Sequence, residues 1–311
     1  MANENCNANI PRGHKIGFAL YNTAKASAFT KLFSVNSFGL KGITNKVTDD
    51  GIKGTIFDVK GEDVVSTKAV SGAVTMNPRP EDLEAVCHAI FGGPGFTAGI
   101  LNPGEMCGYH HWGELDPKLD VIYRYDNCVT SSATWSASDS SPLLLLNWNV
   151  EGQTETLTTT GGVAAFPSAI VASSEQPFVF RQATLTFGGT VTRMKSFNYT
   201  VNHNLDLSGF YNSLTREEMP SGGQTHELSV ELPWDVAAEV AKIGSIQTVA
   251  ATVEFVAGTS EFNLTFPNLE FVIDKPELSG RSRINNTYSC MAKMDPDNAI
   301  PYPVQIEVVN A

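Results

Sequence analysis

The stretch Val70-Ser71-Gly72-Ala73-Val74-Thr75-Met76-Asn77-Pro78-Arg79-Pro80-Glu81-Asp82-Leu83 decides the fold. Its first half alternates: Val70, Gly72, Val74 and Met76 fall on one side of an extended chain, with Ser71, Ala73 and Thr75 on the other, which predicts a half-buried strand. After Pro80 the period changes. Leu83, Val86, Cys87, Ile90 and Phe91 then stand at helical spacing, with Glu81 and Asp82 where the helix dipole favours anions. Proline suits the first turn and Gly92-Gly93 the stop, so the spacing predicts a strand followed directly by a helix over 80–91.

The same order recurs further along. Ser37-Phe38 precedes the first strand, and Ser196-Phe197 precedes a second alternating run, Glu227-Leu228-Ser229-Val230-Glu231-Leu232, followed by Pro233 and an amphipathic stretch from Val236 to Ile243 that ends at Gly244. Phe38 and Phe197 stand 159 positions apart and Val74 and Val230 stand 156 apart, about half of the 311 residues. A unit repeated without shared reactive residues points to assembly, not catalysis.

Composition agrees with a folded, strand-rich chain: 42% hydrophobic and 17% charged, with 26 glycines and 16 prolines to punctuate short strands. The lead from Met1 to Ile10 is polar and Asn-rich, unlike a secretory signal, and no segment approaches the roughly 18–20 apolar residues of a membrane span. The expectation is therefore a cytoplasmic chain. In it Cys6, Cys87, Cys107, Cys128 and Cys290 are free thiols, and the Asn-x-Thr triplets at Asn198, Asn263 and Asn285 are not glycosylated. The net charge of −12 argues against a protein that grips nucleic acid through its phosphates. It permits a wall past which DNA slides without sticking.

Two long excursions occupy matching places. One runs from Asn45 to Lys68, the other from Leu205 to His226, each rich in turn residues. Both carry acidic pairs, Asp49-Asp50 and Glu62-Asp63 in the first and Glu217-Glu218 in the second, so Asp49, Asp50, Glu62, Asp63, Glu217 and Glu218 are candidates for contacts between subunits or for a repulsive lining. The similarity of Phe166-Pro167-Ser168 to Phe266-Pro267-Asn268 lowers the offset to 100 and implies about 55 extra residues near 93–141. A second registration stays open, because Val129 to Ser138 also alternates. The organisation expected is two domains, 1–173 with an insertion near 93–141 and 174–311, joined near Ala172 to Pro177.

The strongest catalytic temptation is Cys107-Gly108-Tyr109-His110-His111-Trp112-Gly113-Glu114, with a thiol, two imidazoles and a carboxylate in eight residues. It lacks a second ligand pair at zinc-finger spacing and the His-Glu-x-x-His arrangement of a metalloprotease, so a polar, aromatic loop anchoring the insertion is the better reading. On the helix, Cys87 faces the core and His88 turns away, which separates a nucleophile from its base. Gly92-Gly93-Pro94-Gly95 follows a helix and does not open one, unlike a phosphate loop. Trp112, Trp135, Trp148 and Trp234 are scattered, which favours packing over a sugar-stacking platform. No catalytic residue, cofactor or metal is expected.

These elements together resemble the duplicated major tail (tail tube) proteins of long-tailed bacteriophages. The resemblance rests on Val70 to Leu83 leading into the helix, on Phe178 to Leu185 followed by Met194 to Thr200, and on Phe262 to Phe271, Pro276-Glu277-Leu278-Ser279-Gly280 and Val304 to Asn310. It covers most of the chain from about residue 30. The Asn-rich lead, the Ala24 to Ala28 stretch and His110-His111 depart from it. The resemblance implies a mainly β protein of two sandwich or barrel domains, each with a flanking helix. It also implies rings of three chains that imitate six and stack into a tube; by their position, the excursions Asn45 to Lys68 and Leu205 to His226 are expected to make the contacts between stacked rings. Such a tube would enclose the tape-measure protein and genomic DNA without sequence-specific binding, meet tail terminator and baseplate proteins, and form part of the virion after assembly in the host cytoplasm. A related injection-system tube or baseplate ring, or a β-sandwich carbohydrate-binding or enzymatic module, are the alternatives.

Overall fold

A computed structural model describes residues 15–21, 29–48, 63–93, 95–104, 109–116, 121–158, 173, 175–233, 246–272 and 285–310. The first strands are β1 Lys15–Tyr21, β2 Lys31–Phe33, β3 Val35–Phe38, β4 Lys41–Thr48 and β5 Asp63–Met76. The helix α1, Pro80–Phe91, follows, then β6 Ile100–Leu101, β7 Tyr109–Asp116, β8 Val121–Ser138, β9 Leu145–Gly152 and β10 Thr154–Thr158. A 3-10 turn at Phe180–Gln182 leads to β11 Ala183–Phe187, β12 Thr190–Thr192, β13 Ser196–Asn202 and β14 Thr225–Pro233. The remaining strands are β15 Ile246–Ala257, β16 Ser260–Val272, β17 Asn285–Ala292 and β18 Gln305–Val309. The protein is mainly β, and all its strand ladders are antiparallel. Among the described residues no helix is long and apolar enough to cross a membrane.

The pairing pattern occurs twice. β1 pairs with β2 and β7, β7 with β8, β8 with β9 and β10, β9 with β5, and β5 with β3. In the second run β11 and β12 stand where β1 and β2 do, β13 and β14 where β3 and β5 do, and β15 to β18 where β7 to β10 do; each contact recurs. Only β4 and β6 lack counterparts among the described strands. The expected second helix, Val236 to Ile243, lies outside the described residues, between β14 and β15.

The expected strand and helix form where the sequence places them. Gly72, Val74 and Met76 continue the β5 ladder to β9, Pro80 opens α1, and Gly92 closes it at φ 64°, a left-handed value that glycine adopts without a Cβ penalty. The apolar face of α1, including Leu83, Val86, Cys87, Ile90 and Phe91, is buried against a core shared with Trp135, Tyr199 and Phe266. A Leu or Phe buried in this way contributes about 1.5–3 kcal/mol of transfer free energy.

The Tyr109 to Glu114 segment is a strand and not the anchoring loop that its polarity suggests. β7 lies between β1 and β8, with His110, His111, Trp112 and Gly113 all buried. His110 and Trp112 pack with Phe18 and Trp148, while Phe29 covers His111 and Gly113 from the other side. Cover on both faces removes the polar alternation that marks a strand with one wet face.

Candidate functional site

The two runs of strands are joined through β8, which is long enough to serve two layers. Its first half, Val121 to Cys128, pairs with β7 and β10, and its second half pairs with β9 on one edge and β13 on the other. The β8–β13 ladder sets Trp135 opposite Tyr199 and Ala137 opposite Phe197. Trp135 and Tyr199 stack at 5.7 Å, and Phe91 of α1 stacks beneath both. Thr134 Oγ1 and Thr200 Oγ1 share a hydrogen bond of 3.0 Å on the opposite face. A second tie runs from β6 to β18, which pairs Leu101 with Ile306. The joint is thus a continuous sheet over a common core.

His203 N donates to Ser131 O at 3.0 Å, so alternate amides of β13, those of Val201, Tyr199 and Phe197, point at β8. The place of β13 in the first run is held by β3 and the start of β4. There Gly39 N donates inward to Ala73 O at 2.9 Å, which turns the amides of Phe38 and Leu40 outward. Among the described strands nothing pairs with that outer edge. An unpaired edge of this length is a template for another strand.

Both excursions leave the same end of the sheet, here the lower rim. The first is a hairpin of β4 with the start of β5, carrying the exposed opposed pair Val47 and Val64. The second, 203–224, folds back on the first run: Lys68 N donates to Leu214 O at 2.7 Å, Arg216 Nη1 meets Glu151 Oε2 at 2.7 Å, and Met219 is buried against Val129. Of the acidic candidates, Asp63 stands exposed on the hairpin and accepts from Thr48 Oγ1 at 2.7 Å. Glu217 and Glu218 are exposed on the second excursion; Glu217 O accepts from Gln153 Nε2 at 2.8 Å and the Glu218 carboxylate accepts from Tyr211 Oη. Asp49, Asp50 and Glu62 lie outside the described residues. The structure therefore brings Asp63, Glu217 and Glu218 to one rim, though not to one cluster.

The buried titratable groups include imidazoles, thiols and two carboxylates: Asp126, ion-paired with Arg124 at 2.8 Å, and Asp82, whose pKa burial raises to about 6. Burial lowers the His203 and His226 pKa values to about 4, and it raises the Cys87 thiol well above its ordinary range and the Cys290 thiol to about 12. Cys87, Cys128 and Cys290 are free and buried, unsuited to nucleophilic work. Among the described residues no group of three or more His, Cys, Asp or Glu side chains is placed to hold a metal ion. Trp112, Trp135 and Trp148 are core residues; Trp234 lies outside the described residues.

The β8–β13 joint, with Trp135, Tyr199 and Phe91 at its centre, escapes the sequence reading. The alternation shared by Val129 to Ser138 and the Ser196-Phe197 strand is the signal that could have found it. No curated protein matches the chain. The model of one family, the phage tail tube proteins, matches residues 17–292, from within β1 to the end of β17, and the chain belongs to that family.

Proposed function

We propose that the chain forms rings by repeating between copies the joint that β8 and β13 make within it. Membership of the family makes it a structural, self-assembling component of a phage tail; the ring geometry goes further. The observation that carries it is the double pairing pattern, in which the β13 edge is occupied by β8 while, among the described strands, the equivalent edge on β3 and β4 is open. Three chains joined in this way give a closed ring of six similar units, with every such edge satisfied. Contacts from one rim to the opposite rim do not close and so generate a tube.

In this reading the two units divide near 173–174. The correspondence of β7 and β8 with β15 and β16 supports counting 93–141 as part of the first unit in place of an insertion. The Val47–Val64 hairpin and the 203–224 excursion, with Asp63, Glu217 and Glu218, supply contacts between stacked rings; Asp49, Asp50 and Glu62 belong to the same proposal by sequence alone. The tube conducts DNA at ejection and encloses the tape-measure protein during assembly in the host cytoplasm, and tail terminator and baseplate proteins meet its ends. The net charge of −12 supports a wall from which DNA is released freely. No catalytic step, cofactor or membrane enters this function.

Electron microscopy of the purified protein tests it. Rings with sixfold appearance and the mass of three chains are expected; rings of six whole chains, or monomers at every concentration, would refute it.

A further inference from the structure

The lower rim contains a cavity of about 610 Å3 that the ring joint does not use. That volume falls within the roughly 300–1,000 Å3 of ordinary ligand sites. Pro103, Met294, Tyr302 and Pro303 give it apolar walls, Lys293 stands at its margin, and His226 lines its inner side. His226 is 3% exposed. Its Nδ1 is hydrogen-bonded to Tyr199 Oη at 2.8 Å, but its equally buried Nε2 has no hydrogen-bond partner. A buried ring nitrogen left in this state is unfavourable, and a polar group entering the cavity beside it would recover the loss.

The opposite rim carries a feature of matching chemistry. Ser138, Ser196 and Glu231 lie level at the upper end of the sheet, and Ser132, Asn202 and Thr225 at the lower end, about 20 Å away at ~3.3 Å per residue. The turn Asp139 to Leu143, which joins β8 to β9, projects from the upper end with all five residues exposed. Leu143 is 40% exposed. The turn offers the Asp139 carboxylate and the Ser140 and Ser141 hydroxyls, with Ser140 also bonded to Ser138 Oγ at 3.1 Å, and at its base the exposed side chain of Leu143, whose backbone bridges Val179. The cavity offers the Lys293 ammonium, the His226 imidazole and apolar walls.

We propose that the cavity is a stacking socket that receives the Asp139–Leu143 turn of a second copy of this chain. Leu143 fills the apolar part, Asp139 meets Lys293, and the Ser140 or Ser141 hydroxyl pairs with His226 Nε2, since a hydroxyl can serve either imidazole tautomer. Socket and turn lie at opposite ends of one molecule, so the contact is heterologous and propagates along an axis. Lys293 already forms a half-exposed ion pair with Glu270 at 4.0 Å, a solvated pair that Asp139 of the second copy can share. The inference rests on the tube reading and names which surfaces the rings use.

Charge reversal in the full-length protein tests it, with ring formation followed by light scattering and tube length by electron microscopy. Lys293→Asp and Asp139→Lys should each leave rings intact and lower tube yield about tenfold at low salt, and the double variant should restore it. Ala292→Trp, which crowds the cavity, should also stop elongation at the ring. The proposal is overturned if both single reversals elongate like the unsubstituted protein, or if the double variant is no better than either alone. If the unsubstituted protein forms neither rings nor tubes, the tube reading itself fails and the socket falls with it. Rings that form normally while the reversals do not matter refute the socket alone.

Discussion

Phe38 stands opposite Val74 in the β3–β5 ladder, and Phe197 stands opposite Val230 in the β13–β14 ladder. The two pairs occupy the same place in the two runs of strands, yet among the described strands only the second has a further strand outside it. Assembly through the open edge should therefore protect the outward amides of Phe38 and Leu40 from hydrogen exchange. Those amides should exchange fast in the dissociated chain and slowly in the tube, while Val201 and Tyr199, already paired with β8, stay protected in both. Equal exchange of Phe38 and Leu40 in the two states would exclude this edge from the ring joint.

Gly72 marks where the first run departs from the second. A Cβ on Gly72 would lie 2.2 Å from Gly39 O and 2.7 Å from Leu40 Cα, whereas its counterpart in β14 is Leu228. The close approach pinches the edge strand and divides β3 from β4. Gly72→Ala must push the backbone of Gly39 away, at a cost of about 1–3 kcal/mol. Denaturant melts of the dissociated chain should show this loss, and ring formation should fall further than stability alone explains if the displaced strand is the joining edge as proposed. Unchanged melts and rings would show that the pinch relaxes freely.

The repeat was legible because Ser37-Phe38 and Ser196-Phe197 each precede a period-2 run, and α1 because Pro80, the 3.6-residue spacing and Gly92 agree. β7 was hidden because Phe29 covers the face that carries His111 and Gly113, leaving no wet face to alternate. Nothing in the turn-rich sequence of the second excursion shows where it lies, yet Met219 and Arg216 fasten it to Val129 and Glu151, partners many residues away that leave no local trace. The β8–β13 joint is of the same kind. Local pattern announces a strand, but which strand lies beside it depends on long-range packing. The acidic pairs were visible in sequence, while the imidazole facing the lower-rim cavity was not, since an isolated histidine in a strand looks like any other.

The hairpin separates stability from assembly. Val47 and Val64 are opposed and 59% and 63% exposed, so they contribute little to the isolated fold. Val47→Lys with Val64→Lys should change unfolding free energy by no more than about 0.5 kcal/mol per site, the usual scale for surface positions. Tubes should nevertheless shorten sharply while rings persist, because two charges then have to be desolvated at the contact between rings. Normal tube lengths would remove the hairpin from that contact.

His203 and His226 make the fold sensitive to acid. Both are buried, and both are held near pKa 4 against the ordinary value of 6.5, chiefly by burial. In the unfolded chain they take up protons as the pH falls below 6.5; in the folded chain they do not until about pH 4. The unfolded state therefore binds more protons across that window, and the stability fully present above pH 6.5 declines between pH 6.5 and 4 by an amount on the order of 3 kcal/mol for each imidazole. Asp82, whose pKa burial raises to about 6, becomes more stabilising as it protonates over the same range and offsets part of the decline. Melting temperatures of the dissociated chain should therefore fall less steeply than the two imidazoles alone would give. Replacing both residues, as His203→Leu with His226→Phe, should remove most of the decline even if stability at pH 7 drops through loss of the bond to Tyr199 Oη. A decline of the same size in that variant would assign the acid sensitivity to other groups.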